Sequence, residues 1–321
     1  RANTGDSSTV IMVKRYINQG LHDVHIQQNW PWAERNSTLT LHAPYSEGTV
    51  SIDVTSTRTT VTGTSTAWTT QTGNYGYANA RAGGKILLGS SIDPLRVSTV
   101  APTSIVLEST NQYLGDTLSE ADYTYFEDEY TLPADFWRMV DARKFSDTMP
   151  IPIIPRQEFY RKYGRNSTFN TPQVCTIVDY AVLNDVTVAG YQRVIFHPAP
   201  DRVLLVPFRY ITTNLAVSSA GTPQAQLSAD SDEPIIPLRY RHCLVFYAIS
   251  QWYRDRKDDQ RSQEANGEYV DLIRRMAGDS TPQRDHAKFI GNRRDYLRGA
   301  TGYRRSTRYS TGTAFDEMRD W

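Results

Sequence analysis

Two stretches of the chain carry apolar residues with the period of an amphipathic helix. In residues 6–29 the apolar positions fall three or four apart, at Val10, Val13, Ile17, Leu21 and Val24. In residues 238–252 they cover a wider face, at Leu238, Leu244, Val245, Ala248, Ile249 and Trp252. We therefore predict an amphipathic helix near the start of the chain and a longer, buried helix later.

A third helical stripe follows a polar hinge at residues 254–259. The side chains that share this face are Tyr269, Leu272, Ile273 and Met276, and Gly278 is a typical helix stop signal. Two helices joined by a short linker predict an antiparallel helical pair. Because three amphipathic stripes can bury one another, we expect the first helix and this pair to pack together as a helical bundle.

Residues 48–126 have a different pattern, rich in threonine, serine, glycine and valine, with apolar residues alternating with polar ones. Short strands separated by glycine, asparagine and proline turns predict an antiparallel β barrel or sandwich. Three further strands are predicted at residues 174–188, 191–197 and 203–211, and a short helix at residues 155–163.

Together these patterns predict an α+β protein with a helical bundle core, an inserted antiparallel β barrel or sandwich domain, and an extended C-terminal arm. Residues 1–47 supply the N-terminal helix and the first strand of the core, and residues 48–126 form the inserted β domain. Residues 127–278 complete the core with strands and the C-terminal helix pair, and residues 279–321 form the arm. We expect the two ends of the insertion to lie close together.

Composition narrows the classes of function. Basic and acidic residues both number 35, and a net charge of zero argues against a protein that mainly coats nucleic acid. The two cysteines, Cys175 and Cys243, lie far apart, so we expect neither a disulfide scaffold nor a zinc site. No apolar run reaches the roughly 18 residues that would span a bilayer, so we predict no membrane partner. The chain opens at Arg1 rather than at methionine, and we expect residues to precede it.

The arm lacks an apolar stripe but is rich in cations. Between Arg284 and Arg308 eight basic residues accompany only two acidic ones, with aromatic residues spaced among them. Arginine and tyrosine are enriched at protein interfaces, and they also contact nucleic acids. A segment without a core of its own needs a partner surface to become ordered, and we favour a protein as that partner. The candidate interface residues are Arg293, Arg294, Tyr296, Tyr303, Arg304 and Arg305.

Candidate catalytic and metal-binding residues are few, and we predict that the chain is not an enzyme and holds no cofactor or metal. His22 and His25 could share a metal on one helix, but no third ligand is placed to complete the site. The acidic cluster of Asp122, Glu127, Asp128 and Glu129 lies at a junction between strands. We interpret it as a solvated or interface patch rather than as a general acid–base pair.

Four stretches resemble the head-to-tail adaptor, or connector, proteins of tailed bacteriophages, particularly those of the short-tailed type. They are residues 16–24 followed by Trp30, the inserted strand block, residues 129–136 with the motif Leu-Pro-Ala-Asp-Phe, and the proline-led segment 232–245. Their order along the chain is more specific than any one of them. The long segment 279–321 departs from the shorter members of the family.

The resemblance implies a structural virion protein at the head-to-tail interface, assembled in the host cytoplasm. Its partners would be the portal protein, the tail nozzle protein and other copies of itself, in a ring of about twelve subunits. The ring would form part of the channel for DNA ejection, and the passing genomic DNA would contact it without sequence-specific binding. The arm would supply the interface with the portal and with the neighbouring subunit.

Two alternatives remain open at the level of sequence. A tail-associated carbohydrate- or receptor-binding protein would use the β block, with Trp68, Tyr75 and Tyr77 as sugar-stacking residues. A nucleic-acid-binding protein would use the basic arm instead. The adaptor interpretation is preferred because a simple binding module has no need of the C-terminal helix pair.

Overall fold

The chain divides into two units, Arg1–Pro237 and Leu238–Trp321. The computed structural model describes residues 7–72, 76–143, 150–163, 168–179 and 192–280. The candidate interface residues of the arm, from Arg293 to Arg305, lie outside the described residues, and their role stays a prediction. Among the described residues, no helix combines the length and the apolar character needed to cross a membrane.

Helices occupy a minor part of the described chain. They are α1 (Ser7–Gln27), α2 (Arg156–Tyr163), α3 (His242–Asp255) and α4 (Asp259–Ser280), with short 3-10 helices at Pro31–Ala33 and Leu238–Tyr240. All four α-helices lie where the sequence predicts them. The differences are small, since α3 begins four residues late, after the 3-10 turn, and α4 runs two residues past Gly278.

Most of the larger unit is β-structure. In chain order the strands are β1 (Glu34–Leu41), β2 (Thr49–Ile52), β3 (Thr60–Thr64), β4 (Gln71–Thr72), β5 (Tyr77–Ala78), β6 (Lys85–Leu88), β7 (Leu95–Val100), β8 (Ser104–Leu107), β9 (Leu118–Ala121), β10 (Tyr123–Phe126), β11 (Glu129–Thr131), β12 (Phe136–Ala142), β13 (Val174–Asp179), β14 (Gln192–His197), β15 (Leu204–Thr212), β16 (Ala216–Val217), β17 (Pro223–Gln224) and β18 (Glu233–Pro234).

A seven-stranded antiparallel sheet is built from residues 49–126, in the order β10-β6-β7-β8-β3-β2-β9. Alternate residues point into one apolar core, which contains Val50, Val61, Ile86 and Ile105. Trp68 fills the same core and is fully buried. The chain enters and leaves this sheet at one place, because the backbones of Tyr45 and Tyr125 exchange two hydrogen bonds of 2.8 Å.

Two three-stranded sheets form the second apolar core of the larger unit. Their strand orders are β1-β15-β12 and β11-β14-β13. One buried cluster draws on both sheets, with Phe208 and Tyr210 from β15 and Val194 and Phe196 from β14. A small sheet, β17-β16-β18, follows it in the chain.

α1 is anchored to the larger unit by its polar as well as its apolar residues. The side chain of Asn18 donates to the carbonyl of Leu227 and accepts from the amide of the same residue, each at 3.0 Å. The His25 ring donates to the carbonyl of Thr212 at 2.8 Å. Leu21 and Val24, from the predicted stripe, are fully buried.

The second unit contains an antiparallel helix pair, as predicted. α3 buries Leu244 and Ala248, and α4 buries Tyr269 and Met276. The Ser262 hydroxyl of α4 donates to the carbonyl of Ser250 in α3 at 3.0 Å, so the pair is also joined by a buried polar contact.

The predicted fold class, an α+β protein with a helical bundle core, is wrong. The described chain is mostly β-structure, and the contact pattern assigns α1 and the α3–α4 pair to different units. The physical reason lies in β11 to β15, which supply two sheets with a shared core of large apolar residues. Strands of three to nine residues have a weaker periodic signal in sequence than an amphipathic helix. For that reason the helices, and not these strands, were predicted to form the core.

Candidate functional site

Three consecutive carboxylates connect the seven-stranded sheet with the second core. β10 ends at Phe126 and β11 begins at Glu129, so Glu127, Asp128 and Glu129 occupy the crossing point. All three side chains are at most 10% exposed. A charge in that position is unfavourable unless it is paired, because burial removes its hydration.

Each carboxylate is paired with a cation from strands β6 and β7 or from the loop before them. Arg81, in the loop before β6, holds Glu127 with two guanidinium nitrogens. The Lys85 ammonium lies 2.8 Å from Asp128 and 3.3 Å from Glu129. We call this set, with Arg96, the ionic clamp; its members are Arg81, Lys85, Arg96, Glu127, Asp128 and Glu129.

Arg96 completes the ionic clamp from β7. One of its terminal guanidinium nitrogens lies 2.9 Å from Glu129, and its Nε lies 3.1 Å from Glu108. Strands β6 and β7 are neighbours in the sheet, so their cations are held in a row opposite the three consecutive acids. Lys85 and Arg96 thus share Glu129 between them, while Arg81 and Glu127 form a separate pair beside them.

The electrostatics of the clamp favour the charged forms. Burial alone would lower the pKa of Lys85, but the carboxylates of Asp128 and Glu129 outweigh it and raise that pKa. Burial likewise would raise the pKa of Glu129, and the positive charges of Lys85 and Arg96 lower it instead. Both groups therefore stay ionised at neutral pH.

Aromatic hydroxyls and one histidine surround Glu127. Tyr125 donates to its carboxylate at 2.8 Å, and Tyr130 donates to its backbone carbonyl at 3.1 Å. The Nε2 atom of His42 lies 4.0 Å from the carboxylate, and burial lowers the pKa of His42 to about 4, so this ring is neutral at neutral pH. Burial also raises the pKa values of Tyr125 and Tyr130 well above their ordinary value.

The clamp corrects the prediction for the acidic cluster. Glu127, Asp128 and Glu129 were expected to form a solvated or interface patch, whereas they are buried and paired within the chain; only Asp122 is exposed. Because every carboxylate is neutralised by a fixed cation, the geometry favours a structural connection between two cores over proton transfer. The sequence signal that could have located the clamp is the pairing of three acids with cations on neighbouring predicted strands.

The histidine pair of α1 does not assemble into a metal site. His22 is exposed, whereas His25 is buried against the ring of Trp137, with 4.4 Å between ring centroids. Burial lowers the pKa of His25 to about 4, and His22 adds to this effect. In the part of the chain that the structure describes, no group of three or more His, Cys, Asp or Glu side chains could hold a metal ion.

Of the three aromatic residues that could stack on a sugar, the two that the structure describes contact other side chains of the protein. Trp68 is fully buried, and its indole nitrogen donates to the Tyr123 hydroxyl at 2.9 Å. Tyr77 packs on His42 with ring centroids 4.0 Å apart. Tyr75 lies outside the described residues. Trp68, one of the three residues on which the carbohydrate-binding alternative rested, is therefore not accessible to a sugar.

Exposed apolar side chains on two helices form the candidate interaction surfaces. On α1 the exposed residues include Ile11 and Ile26, which are 67% and 64% exposed. On α3 they include Val245 and Ile249, and Leu238 of the preceding 3-10 helix is 75% exposed. The helical stripe predicted a buried face that includes Val245, Ile249 and Leu238, and for these residues that prediction is wrong.

The described chain also carries an open cleft of about 520 Å³ beside the β1-β15-β12 sheet. Residues of all three strands line it, among them Asn36 and Thr38 of β1 and Arg209 of β15. The cleft was not predicted from the sequence, because its lining residues belong to strands and form no recognisable motif.

Comparison of the chain with models of known protein families and with curated proteins finds no match.

Proposed function

We propose that this chain is a structural subunit of a tailed-phage virion: the head-to-tail adaptor, which forms a ring between the portal and the tail nozzle. The ring surrounds part of the DNA ejection channel and contacts the passing genome without reading its sequence. It assembles in the host cytoplasm from about twelve copies. The resemblance of residues 16–24, 129–136 and 232–245 to adaptor proteins supports this proposal.

The observation that carries the proposal is the exposure of large apolar residues on α1 and α3. Single exposed apolar residues are ordinary, but Val10, Ile11 and Met12 are consecutive on α1, and all three are at least 37% exposed. Exposed apolar groups of this kind are typical of surfaces that bury themselves against another protein. A ring needs two such surfaces on each subunit, one for each neighbour.

The ionic clamp suits the same role. A subunit of a ring must hold its parts at fixed angles, since a small error in each copy prevents closure. Three ion pairs with buried carboxylates lie at one crossing point and restrict the seven-stranded sheet relative to the second core. A hydrated linker at residues 127–129 would leave that angle free.

The arm provides a functional test of the proposal in infected cells. We expect a chain truncated after Ser280, which keeps α4 whole, to fold but to fail to join portal-bearing heads. The expected phenotype is DNA-filled capsids that leak their genome, measured by infectious titre and by the DNA retained in purified heads. Reversing the charge of either consecutive pair, Arg293 and Arg294 or Arg304 and Arg305, to glutamate should give the same defect in the full-length chain.

A matched variant separates the arm from general charge effects. Replacing Arg274 and Arg275 of α4 with glutamate changes two exposed arginines outside the arm. This variant should still join the heads. Stable, infectious particles from the truncated chain would exclude the arm as the portal contact.

A further inference from the structure

The first half of α1 extends beyond the part of the helix that is packed against the larger unit. Residues 8–15 have no buried side chain, and the first buried residue of the helix is Tyr16. Val10, Ile11 and Met12 lie in this exposed half. A helix shorter than about 12 residues is only marginally stable in water by itself. The helical form of this half therefore depends on how the chain just after it is held.

One loop of the larger unit, residues 224–232, reaches the helix at that point, and we call this loop the strap. Both ends of the strap are fixed in the small sheet β17-β16-β18. Gln224 lies opposite Ala216, and Glu233, the residue after the strap, lies opposite Val217. Ala216 is fully buried, so the small sheet gives the strap a fixed base.

The middle of the strap contacts α1 through Leu227. The Asn18 side chain accepts from the Leu227 amide and donates to the carbonyl of the same residue, each at 3.0 Å. The Lys14 ammonium also lies 2.6 Å from Asp230, but their side chains are 48% and 84% exposed, so solvent screens this pair. Asn18 is therefore the stronger of the two anchors.

One carboxylate holds the strap in the shape that reaches Asn18. Asp232 accepts from the backbone amides of Ser228 and Ala229, at 2.8 and 2.7 Å, and from the side-chain amide of Gln224. The amides of Ala229 and Ser228 lower the pKa of Asp232, so this carboxylate is charged at neutral pH. Because Ser228 directly follows Leu227, the position of Leu227 depends on Asp232.

We propose that the strap keeps the exposed half of α1 helical and that Asp232 is the positioning residue of this device. With the strap closed, Val10, Ile11 and Met12 lie on a preformed helix, whereas opening the strap turns residues 8–15 into a flexible end. An ordered surface loses less conformational entropy on binding than a flexible one, so the strap controls how readily this apolar surface binds. The inference does not rest on the adaptor proposal, since it concerns how α1 is held.

Amide hydrogen exchange in the full chain tests the device. Asp232→Ala removes the acceptor that closes the strap. Asn18→Ser removes the anchor on the helix, because serine is too short to make both bonds, and its helix propensity is similar to that of asparagine. Each variant should speed exchange about tenfold at the Leu227 amide and at the amides of residues 11–15, as expected for the loss of roughly one hydrogen bond.

Two controls separate positioning from general stability. Asp230→Ala breaks the exposed pair with Lys14 and should change the exchange rates of residues 11–15 by less than about twofold. The amides of β15 report on the larger unit as a whole, and their exchange should stay unchanged in Asp232→Ala. Equal losses of protection in β15 and in residues 11–15 would show that Asp232 stabilises the whole unit and does not position α1.

The double variant tests whether Asp232 and Asn18 act through the same loop. If both act through Leu227, Asn18→Ser combined with Asp232→Ala should exchange at residues 11–15 at nearly the rate of either single variant. Multiplied effects, about a hundredfold in the double variant, would mean that the two residues act independently and would overturn the strap.

Discussion

Lys85 is the residue on which the ionic clamp most depends, because its ammonium serves both Asp128 and Glu129. Lys85→Met removes that charge and leaves two buried carboxylates with fewer partners. We expect a loss of about 3 kcal/mol in the free energy of unfolding, as is usual when one member of a buried ion pair is removed. Urea denaturation of the wild-type chain and the variant measures it.

The same substitution at an exposed position is the matched control. Lys162 pairs with Glu158 one helical turn away on α2, and its side chain is 51% exposed. Solvent screens this pair, so Lys162→Met should change the free energy of unfolding little. Equal effects of Lys85→Met and Lys162→Met would show that the clamp contributes no more than a surface pair.

Two buried histidines predict how stability depends on pH. Burial lowers the pKa values of His25 and His42 from 6.5 to about 4. The unfolded chain then binds more protons than the folded chain between those values, so stability falls as the pH falls from 6.5 towards 4. Below 4.5 Glu129 adds a second loss, since its folded pKa lies below that ordinary value.

Unfolding free energies measured at about pH 7 and about pH 5 test this dependence. His25→Gln keeps a donor for the Thr212 carbonyl but cannot be protonated in this range. The difference between the two pH values should therefore shrink in this variant. A difference of the same size as in the wild-type chain would rule out His25 as a source of the dependence.

At the residue scale, the sequence showed which residues cluster along the chain, but it did not show whether their side chains are buried or exposed. It marked Glu127, Asp128 and Glu129 as a cluster, but hydropathy placed them in solvent because isolated acids usually lie there. Their burial depends on cations about 30 to 50 positions earlier in the chain, which only strand pairing brings together. The sequence left a sugar-binding role open for Trp68, but the residue is fully buried and its indole nitrogen donates to the Tyr123 hydroxyl, so a sugar cannot stack on it.

At the scale of elements, substitutions at two neighbouring residues of α3 test the folding of the helix pair and the association of the chain separately. Leu244 is 4% exposed within the helix pair, whereas Val245 is 49% exposed. Leu244→Asp places an unpaired charge in a core and should cost several kcal/mol. Val245→Asp should leave the melting temperature close to that of the wild-type chain and weaken self-association.

Thermal unfolding followed by circular dichroism, with light scattering for mass, measures both effects. A soluble Leu244→Asp chain with an unchanged melting temperature would contradict the packing of α3 on α4. A Val245→Asp chain that associates as the wild-type chain does would remove the α3 face from the proposed ring contacts.

Single elements were predictable because their signals are local. The helical stripes located α1, α3 and α4, and the strands predicted within residues 191–197 and 203–211 are confirmed as β14 and β15. The burial of whole helix faces was not predictable in the same way, because it depends on which partner covers each face. Val245 and Ile249 carry a helical stripe in sequence and yet remain exposed on α3.

At the scale of the whole molecule, the ionic clamp changes what the β insertion is expected to do. Joining Glu47 to Glu127 by a short linker removes residues 48–126 and with them Arg81, Lys85 and Arg96. The helical circular dichroism should persist, because α3 and α4 belong to a separate unit. The larger unit should lose stability, since three carboxylates are left without their cations.

Neutral side chains provide the control for that deletion. Adding Glu127→Gln, Asp128→Asn and Glu129→Gln to the deleted chain should recover part of the lost stability, measured by thermal unfolding. No recovery would mean that the insertion stabilises the larger unit by packing rather than by charge. Loss of all helical signal would show that the two units do not fold separately.

The error in fold class arose at this largest scale. Periodicity identifies elements, but it does not say which elements share a core, and short strands such as β11, with three residues, give little signal. Residues from β1, β11, β12, β13, β14 and β15 meet in one cluster only after they pair across long stretches of chain. The helical stripes were easier to recognise, and the core was assigned to them.

The central claim is that copies of this chain form a closed ring on a portal. Negative-stain electron microscopy of the purified chain, alone and mixed with the portal protein, tests it most directly. We expect rings of about twelve subunits, either free or formed on the portal, with one copy of the chain per portal subunit. A chain that stays monomeric under both conditions, with no density added to the portal, would contradict the account.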